Sequence, residues 1–370
     1  MSKIYVAIIG AGGVGKAFIS QLASYSSRNP SLNITPILIS RSKTALISPD
    51  YSGLSLSNWA SDLASATTPP PAFPTETLKF LSTAPGPVIL VDNTSDEAIA
   101  SSYPQFLSAG IHIVTPNKKG FSSSIDLWNG IYSAAKNGDN ANGKGGFVFH
   151  EASVGAGLPV LSTLKELVET GDKIRKIEGV FSGTMSFLFN SFAPLSGDNG
   201  GKGFAECVVQ AKELGYTEPD PRDDLNGLDV ARKLTILARL SGLAVPSPTS
   251  FPIQSLIPSE LETAKSAEEF LEGLPRFDGE MTKKKTDAEA SGSVIRYVGS
   301  LNVERKEVKV GLESFAKSSS IAGLQGSDNI ISFYTERYGA NPLIVQGAGA
   351  GAEVTAMGVL GDLIKVVQRL

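Results

Sequence analysis

The hydrophobic positions come first as short, nearly unbroken runs. Residues 3–9 read Lys-Ile-Tyr-Val-Ala-Ile-Ile, the pattern of a parallel strand covered on both faces. A glycine cluster follows, and apolar side chains then recur at Val14, Phe18, Leu22 and Tyr25, which is helical spacing. A second apolar run at 34–39 completes a strand–turn–helix–strand unit. Runs at 87–91 and 111–114, with a helix between them, and a last one at 147–150 continue the alternation. This order predicts an open parallel sheet with helices on both faces.

After about residue 151 the rhythm changes. Helical spacing at 158–169 and 185–192 flanks a strand at 174–181, and a helix is expected over 225–240. Apolar alternation at 295–303 and 308–312 predicts a hairpin, followed by strands at 330–337 and 343–346. Clustered strands with separate helices predict an α+β domain with a mixed sheet. The tail, 354–368, reads as a helix that packs back on the first domain. The expected division is therefore 1–150, 151–340 and a returning segment 341–370. Residues 61–74, with three consecutive prolines at 69–71, read as a surface connection. Residues 137–146 and 196–203 are rich in Gly and Asn or Ser and read as loops. Four prolines within 244–258 favour an extended segment. No repeat with a period of 20–50 residues is present.

Composition narrows the function. A chain of 370 residues suggests two domains. Lys plus Arg number 33 against 37 Asp plus Glu, a net charge of −4, so the basic face of a nucleic-acid binder is not expected. The basic run Lys283, Lys284, Lys285 reads as a solvated loop. The single cysteine, Cys207, excludes an internal disulfide and a cysteine-based zinc cluster and fits a reducing cytoplasm. No apolar run reaches about 18 residues, so no membrane span is expected. The N-terminus enters a strand directly and lacks the order of a signal peptide.

The strongest motif is Gly10-Ala-Gly12-Gly13-Val14-Gly15, placed after a strand and before a helix. In that context Gly10 allows the tight turn, Gly12 admits a pyrophosphate to the backbone, Gly15 permits close helix–strand packing, and the helix N-terminus offers N–H groups to the anion. The bland alternative is a glycine turn with no ligand. With the alternating elements around it, the motif points to α/β architecture, a Rossmann-type doubly wound sheet that binds a dinucleotide. The second strand ends Ile39-Ser40-Arg41-Ser42-Lys43. An acidic residue there would accept from an NAD ribose and repel a 2′-phosphate, whereas an arginine can chelate that phosphate. Arg41 and Lys43 without an acid at Ser40 favour NADP, with NAD also possible; a merely exposed arginine is the alternative. A second glycine stretch, Gly347-Ala-Gly349-Ala-Gly-Ala352, has no strand after it to complete a nucleotide fold. It can still line the cofactor.

Ligands of open parallel sheets sit beyond the carboxyl ends of the strands. Three such ends are polar: Asp92-Asn93-Thr94-Ser95, Thr115-Pro116-Asn117-Lys118-Lys119 and His150-Glu151. Turn chemistry alone could explain any one of them. The densest polar constellation is Tyr216-Thr-Glu218-Pro-Asp220-Pro-Arg222-Asp-Asp224-Leu-Asn-Gly-Leu-Asp229-Val-Ala-Arg-Lys233. Two prolines stiffen the backbone around Glu218 and Asp220. Asp229 and Lys233 share a helix face at i, i+4, which by spacing alone reads as a helix ion pair. The adjoining acidic loop could bind a substrate ammonium.

These segments, with the run from His150 to Pro159 and Ser182-Gly183-Thr184, resemble homoserine dehydrogenase, most closely the short fungal form without the C-terminal regulatory domain of many bacterial relatives. The resemblance spans essentially the whole chain. It implies NAD(P)-linked interconversion of L-homoserine and L-aspartate 4-semialdehyde, on the route to threonine and methionine, by a cytoplasmic homodimer built through the second domain. It assigns Lys233 and Lys118 as catalytic lysines, with Asp229 near the reacting end. Glu218 would hold the substrate amino group, with Thr184 and Asp224 as further substrate contacts. Cofactor contacts would come from Gly10, Gly12, Gly13, Val14, Gly15, Arg41, Asn93, Thr94, Thr115, Lys118 and Gly349. Glu151 and the carbonyls of Val154, Ala156 and Leu158 would hold a monovalent cation, sodium by preference.

Two other readings fit the architecture less well. A semialdehyde dehydrogenase needs a thiolate nucleophile, and Cys207 lies in a helix-like run, Phe204-Ala-Glu-Cys-Val-Val-Gln-Ala, without a partner histidine. A non-catalytic NADP-sensing protein would not need this many lysines and acids. His112 sits inside a strand and His150 beside Glu151, so both read as structural. The proton released on oxidation of homoserine is then expected to go to a lysine, Lys233, with a pKa lowered by burial and by a second cation.

Overall fold

The computed structural model describes residues 3–138, 145–198 and 200–370. Most of the expected loop at 137–146, one residue of that at 196–203, and residues 1–2 lie outside the described residues. The chain forms two compact units, Met1–Pro159 with Ala350–Leu370, and Val160–Gly349.

Unit 1 is built on six strands: β1 (Ile4–Ile9), β2 (Ile34–Ser40), β3 (Ala45–Ile47), β4 (Val88–Asp92), β5 (His112–Val114) and β6 (Val148–Phe149). Their order is β3-β2-β1-β4-β5-β6. All neighbours are parallel except β3, which runs antiparallel to β2. β4 is buried along its whole length, in keeping with its apolar run at 88–91, and ends in the buried Asp92. The helices Gly13–Arg28 and Ala352–Val367 supply Phe18, Leu22, Val359 and Leu363 to a core shared with Val6, Ile8 and Val91. The strand order reverses between β1 and β4, and that switch point is where such sheets place a ligand crevice.

The short strand β3 was not expected. It follows a turn closed by the Arg41 N–H on the Thr44 carbonyl at 2.9 Å, too few residues for alternation to register. Part of the expected surface connection at 61–74 is helical, Trp59–Ser65, because Trp59 and Leu63 lie one turn apart and are both buried.

Unit 2 carries β7 (Ile174–Val180), β8 (Ser293–Asn302), β9 (Glu307–Ala316), β10 (Asn329–Thr335) and β11 (Leu343–Gly347), in the order β11-β10-β7-β8-β9. The mixed sheet expected here is antiparallel at every neighbouring pair: β8–β9 and β10–β11 are adjacent in sequence, and β7 lies between β8 and β10 running opposite to both. The returning segment begins later than 341, since β11 is held in this sheet by β10 and the unit boundary falls at Gly349/Ala350. The first boundary likewise falls at Pro159/Val160, not at 150. Lys283, Lys284 and Lys285 lie in the helix Asp278–Ala290 instead of a loop. That helix has little apolar periodicity, but Asp278 and Glu280 occupy its first turn and Lys285 faces Glu289 at 4.0 Å, charge placements that support a polar helix. Among the described residues no helix is long and apolar enough to cross a membrane.

Candidate active site

In unit 1 the glycine turn is tied to the next strand by its own backbone. The N–H groups of Gly10 and Ala11 both donate to the Ser40 carbonyl at 3.0 Å. A Cβ on Gly15 would stand 2.1 Å from the Gly10 carbonyl oxygen, so only glycine lets the helix begin this close to the turn. On Gly12 and Gly13 a Cβ would meet nothing within 4 Å; that face of the turn is open. Val14 is half-buried in the helix's first turn. Ser40 is buried, while Arg41 and Lys43 are exposed. Arg41 folds its Nε onto the Ala11 carbonyl at 3.1 Å, which holds a guanidinium along the turn.

Asn93 follows β4. Its N–H donates to Ile9 at 2.8 Å, yet its buried side-chain amide has no hydrogen-bond partner on either atom among the described residues. Leaving such a group unsatisfied costs about 1–3 kcal/mol. An amide held beside the open glycine turn fits a ligand rich in hydrogen-bonding groups, as a dinucleotide is. Next to it Thr94 donates its N–H to Asp92 at 2.8 Å. Thr115, at the end of β5, donates its hydroxyl to the Asp92 carbonyl at 2.7 Å. Lys118 caps the short helix Lys119–Ser122.

The loop after β6 is left-handed at Gly155 (φ 78°) and Ala156 (φ 53°), and Val154 and Ala156 are buried in it. Glu151 is buried. Its N–H donates to Asp362 at 2.7 Å, and its carboxylate lies 3.6 Å from the Lys365 ammonium, which also meets Asp362 at 2.9 Å. Burial is the main reason that the Asp362 carboxyl is pushed up to about 6. Sequence reasoning missed Asp362 and Lys365; they stand some two hundred residues from Glu151 and show only helical spacing. Among the described residues no three His, Cys, Asp or Glu side chains gather as metal ligands, so a cation here would depend on one carboxylate and on carbonyls.

Unit 2 gathers the charged residues. Gly227, at φ 74°, turns the chain into the helix Leu228–Leu240, with the Tyr297 hydroxyl packed where a Cβ would be. That helix presents Asp229 and Lys233 on one face. The Lys233 ammonium is buried, 2.7 Å from Asp229 and 2.6 Å from the Phe181 carbonyl, to which it donates. The ion pair expected from spacing is therefore present, but with a buried cation and a third partner. Thr184, in the first turn of the helix Gly183–Phe192, places its hydroxyl 2.6 Å from the Tyr216 carbonyl and 2.9 Å from Asp224. The other Asp224 oxygen accepts the Glu218 N–H at 2.8 Å. Burial, with the nearby Glu218 and Asp229 charges, raises the Asp224 carboxyl above the usual range. Asp220, in the same acidic loop, is already spent: Arg222 bonds both of its oxygens and so lowers its pKa. Asp220 is thus a structural brace and no candidate for an ammonium site.

Gly349 lies against Asn329; a Cβ there would stand 2.0 Å from the Asn329 amide nitrogen. The remaining candidates are inert. Cys207 is buried in the helix Phe204–Glu213, where burial pushes its thiol up to about 11. His112 accepts the Phe147 N–H at 2.9 Å, and burial lowers it to about 4. His150 bonds Tyr132 and Ser153 and stacks on Phe121.

Comparison with known proteins places the chain in a family. A family model described as homoserine dehydrogenase matches residues 159–364, and one described as homoserine dehydrogenase, NAD binding domain, matches 10–141. Homoserine dehydrogenase of Emericella nidulans is 58% identical over 378 residues, covering 100% of both chains. A solved Candida auris protein described as of unknown function is 48% identical with a TM-score of 0.91, covering 100% of this chain and 99% of that one. A variant of a hyperthermophilic archaeal homoserine dehydrogenase, solved in complex with NADPH, shares 21% identity and a TM-score of 0.72 over 100% and 99% of the chains, a likeness of fold.

Proposed function

The chain belongs to the homoserine dehydrogenase family, and on that premise we propose how its side chains divide the work. The enzyme interconverts L-homoserine and L-aspartate 4-semialdehyde with a nicotinamide cofactor, an oxidoreductase step of the aspartate pathway. The cofactor, when bound, supplies the acceptor for a hydride from C4 of homoserine. Gly10, Gly12, Gly13, Val14 and Gly15 would cradle its pyrophosphate, and the unpartnered amide of Asn93, with Thr94, Thr115 and Lys118, would hold it near the strand ends. Gly349 is the remaining member of that set.

The substrate hydroxyl must lose a proton as its carbon loses the hydride. Lys233 is our choice for the general acid/base: as the neutral amine it takes that proton, and as the ammonium it returns it in the reverse direction, with Asp229 and the Phe181 carbonyl orienting its nitrogen. Lys118 is its partner at the substrate oxygen. Glu218, Asp224 and Thr184 receive the amino group. The observation that carries this reading is a group of carboxylates beside a buried lysine, in which burial and the neighbouring Glu218 and Asp229 charges raise the Asp224 carboxyl. Such a cluster is relieved by a cation, which the homoserine ammonium provides.

Lys233→Ala should lower kcat by about 10²–10⁴-fold, the usual contribution of a general acid–base, while NADPH affinity holds. Near-normal turnover in Lys233→Ala with an inactive Lys118→Ala would reverse the two assignments. Further parts of the proposal are finer. The archaeal relative binds NADPH, and Arg41 supports NADP as the preferred cofactor here, with NAD also accepted. A sodium-type cation at Glu151 and the carbonyls of Val154, Ala156 and Leu158 would share Glu151 with Lys365 and stiffen the loop; unchanged activity after exhaustive removal of alkali ions would count against it. We also propose a cytoplasmic homodimer assembled through unit 2.

A further inference from the structure

Asp92, the last residue of β4, is fully buried, and three donors converge on its carboxylate. Oδ1 accepts the Thr94 N–H at 2.8 Å. Oδ2 accepts the Tyr103 hydroxyl at 2.5 Å and the Asn117 amide at 3.1 Å. Tyr103 is also fully buried, in the helix Tyr103–Ser108. Its hydroxyl has one proton, and the close, charged acceptor takes it; the 3.1 Å contact to the Thr115 oxygen is secondary. Burial, and then the Asp92 charge, hold the Tyr103 phenol well above its ordinary pKa, so it remains a donor.

Asn117 passes this fixation on. Its amide nitrogen also donates to the Asp96 carbonyl at 2.9 Å, and its oxygen accepts the Lys119 N–H at 3.1 Å. Its own N–H donates to Thr115 at 2.9 Å. The residues on both sides of Lys118 are thereby held, and the Lys118 carbonyl accepts from the N–H groups of Phe121 and Ser122. One carboxylate thus fixes the spacing between the Asn93–Thr94 turn and the loop that carries Lys118.

We propose that Asp92 and Tyr103 are positioning residues for Lys118, setting where its side chain meets the substrate oxygen. The inference rests on the reading of Lys118 given above. A neutral brace would hold the fold at lower cost, since a buried carboxylate without a cation is expensive. Only a carboxylate, though, accepts from all three donors at once; an amide in its place would turn its own N–H groups toward at least one of them.

Tyr103→Phe tests this, since the ring that packs near Phe121 is kept and only the hydroxyl is lost. Displacing a catalytic group by about an ångström can cost up to about 100-fold, so kcat should fall about 10- to 100-fold. The kinetic isotope effect with homoserine deuterated at C4 should rise as the chemical step becomes limiting. NADPH affinity, read by fluorescence titration, should fall by much less than kcat, because the glycine turn proposed to cradle the pyrophosphate is untouched. Should Tyr103→Phe fail to fold, Asn117→Ala is read in the same way. A loss of thermal stability with the parent's kcat per folded site and the parent's isotope effect marks a mere brace and overturns the proposal. Lys118→Ala is the control: if it is inactive while Tyr103→Phe is normal, positioning fails and the reading of Lys118 survives. If Lys118→Ala turns over normally, both fall.

Discussion

The glycine turn of unit 1 and the 216–233 segment of unit 2 reach fixed geometry by opposite routes. In the turn, the geometry depends on atoms that are missing: Gly15 sits where any Cβ would press on the Gly10 carbonyl, and Gly12 and Gly13 leave a face open. In the 216–233 segment, the proposed site depends on charges that are present and only partly satisfied by one another. Asp220 is neutralised by Arg222 and Asp229 by Lys233, while Asp224 and Glu218 stay mutually repelling. A cradle made by absence tolerates no substitution but reads its ligand weakly. A cluster made by charge tolerates isosteric change at the cost of affinity. The two regions should therefore fail differently.

The sharpest way to break this contrast is Gly15→Ala. A methyl group 2.1 Å from a backbone oxygen must push the helix Gly13–Arg28 off the turn. Overpacking of this kind costs about 1–3 kcal/mol, and the upper value converts to about 100-fold in affinity. NADPH titration should show that loss together with a lower melting temperature. Parent-like affinity in Gly15→Ala would mean that close helix approach does not set the cradle.

Asp224→Asn probes the other side and should be milder. Its side chain still accepts from Thr184 or the Glu218 N–H, but one negative charge leaves the cluster. A hydrogen bond to a charged group is worth about 1.5–3 kcal/mol, so KM for homoserine should rise about 10- to 100-fold with kcat less affected. The pH dependence has a definite sign. Because the Asp224 pKa is raised above 3.8 in the folded protein, its charge and its pull on an ammonium disappear as pH falls through that raised value, at a higher pH than for an ordinary aspartate. KM measured toward acid pH should climb earlier in the parent than in Asp224→Asn. Identical acid limbs would remove Asp224 from substrate binding.

The same contrast explains what could be read in advance. The glycine turn was legible because its constraint is local: the residues that collide, Gly10 and Gly15, are five apart. The parallel sheet was legible because β1, β2 and β4 are buried on both faces and so are predominantly apolar, with polar residues mainly at their ends. The Asp229–Lys233 pair was legible from helix spacing, whereas its third partner, the Phe181 carbonyl, lies 52 residues away and leaves no trace in a pattern. Asp92 looked like one polar residue at a strand end; nothing local connects it with Tyr103 or Asn117. The acidic loop read as a whole as able to bind an ammonium, but Arg222, two residues on, folds back on Asp220 and takes that carboxylate out of play. The Lys283–Lys285 run misled because charge suggested solvent, and a solvated helix face satisfies charge as well as a loop does.

Arg41 offers the smallest expected effect and the finest test, because it lies in unit 1 yet acts through charge. Its Nε already serves the Ala11 carbonyl at 3.1 Å, which leaves the terminal nitrogens of the guanidinium to meet a 2′-phosphate. An exposed, salt-screened contact is weaker than a buried one. The expected loss on Arg41→Ala is therefore about one step of tenfold, 1.4 kcal/mol, in NADP affinity, with NAD affinity nearly unchanged because NAD carries no phosphate there. The loss should shrink at high salt, unlike that of Gly15→Ala, which is steric and indifferent to ions. If Arg41→Ala weakens NAD and NADP alike, the side chain is only bracing the turn through Ala11. The glycine region would then work by shape alone, and cofactor preference would have to be sought at Lys43 or elsewhere along the end of β2.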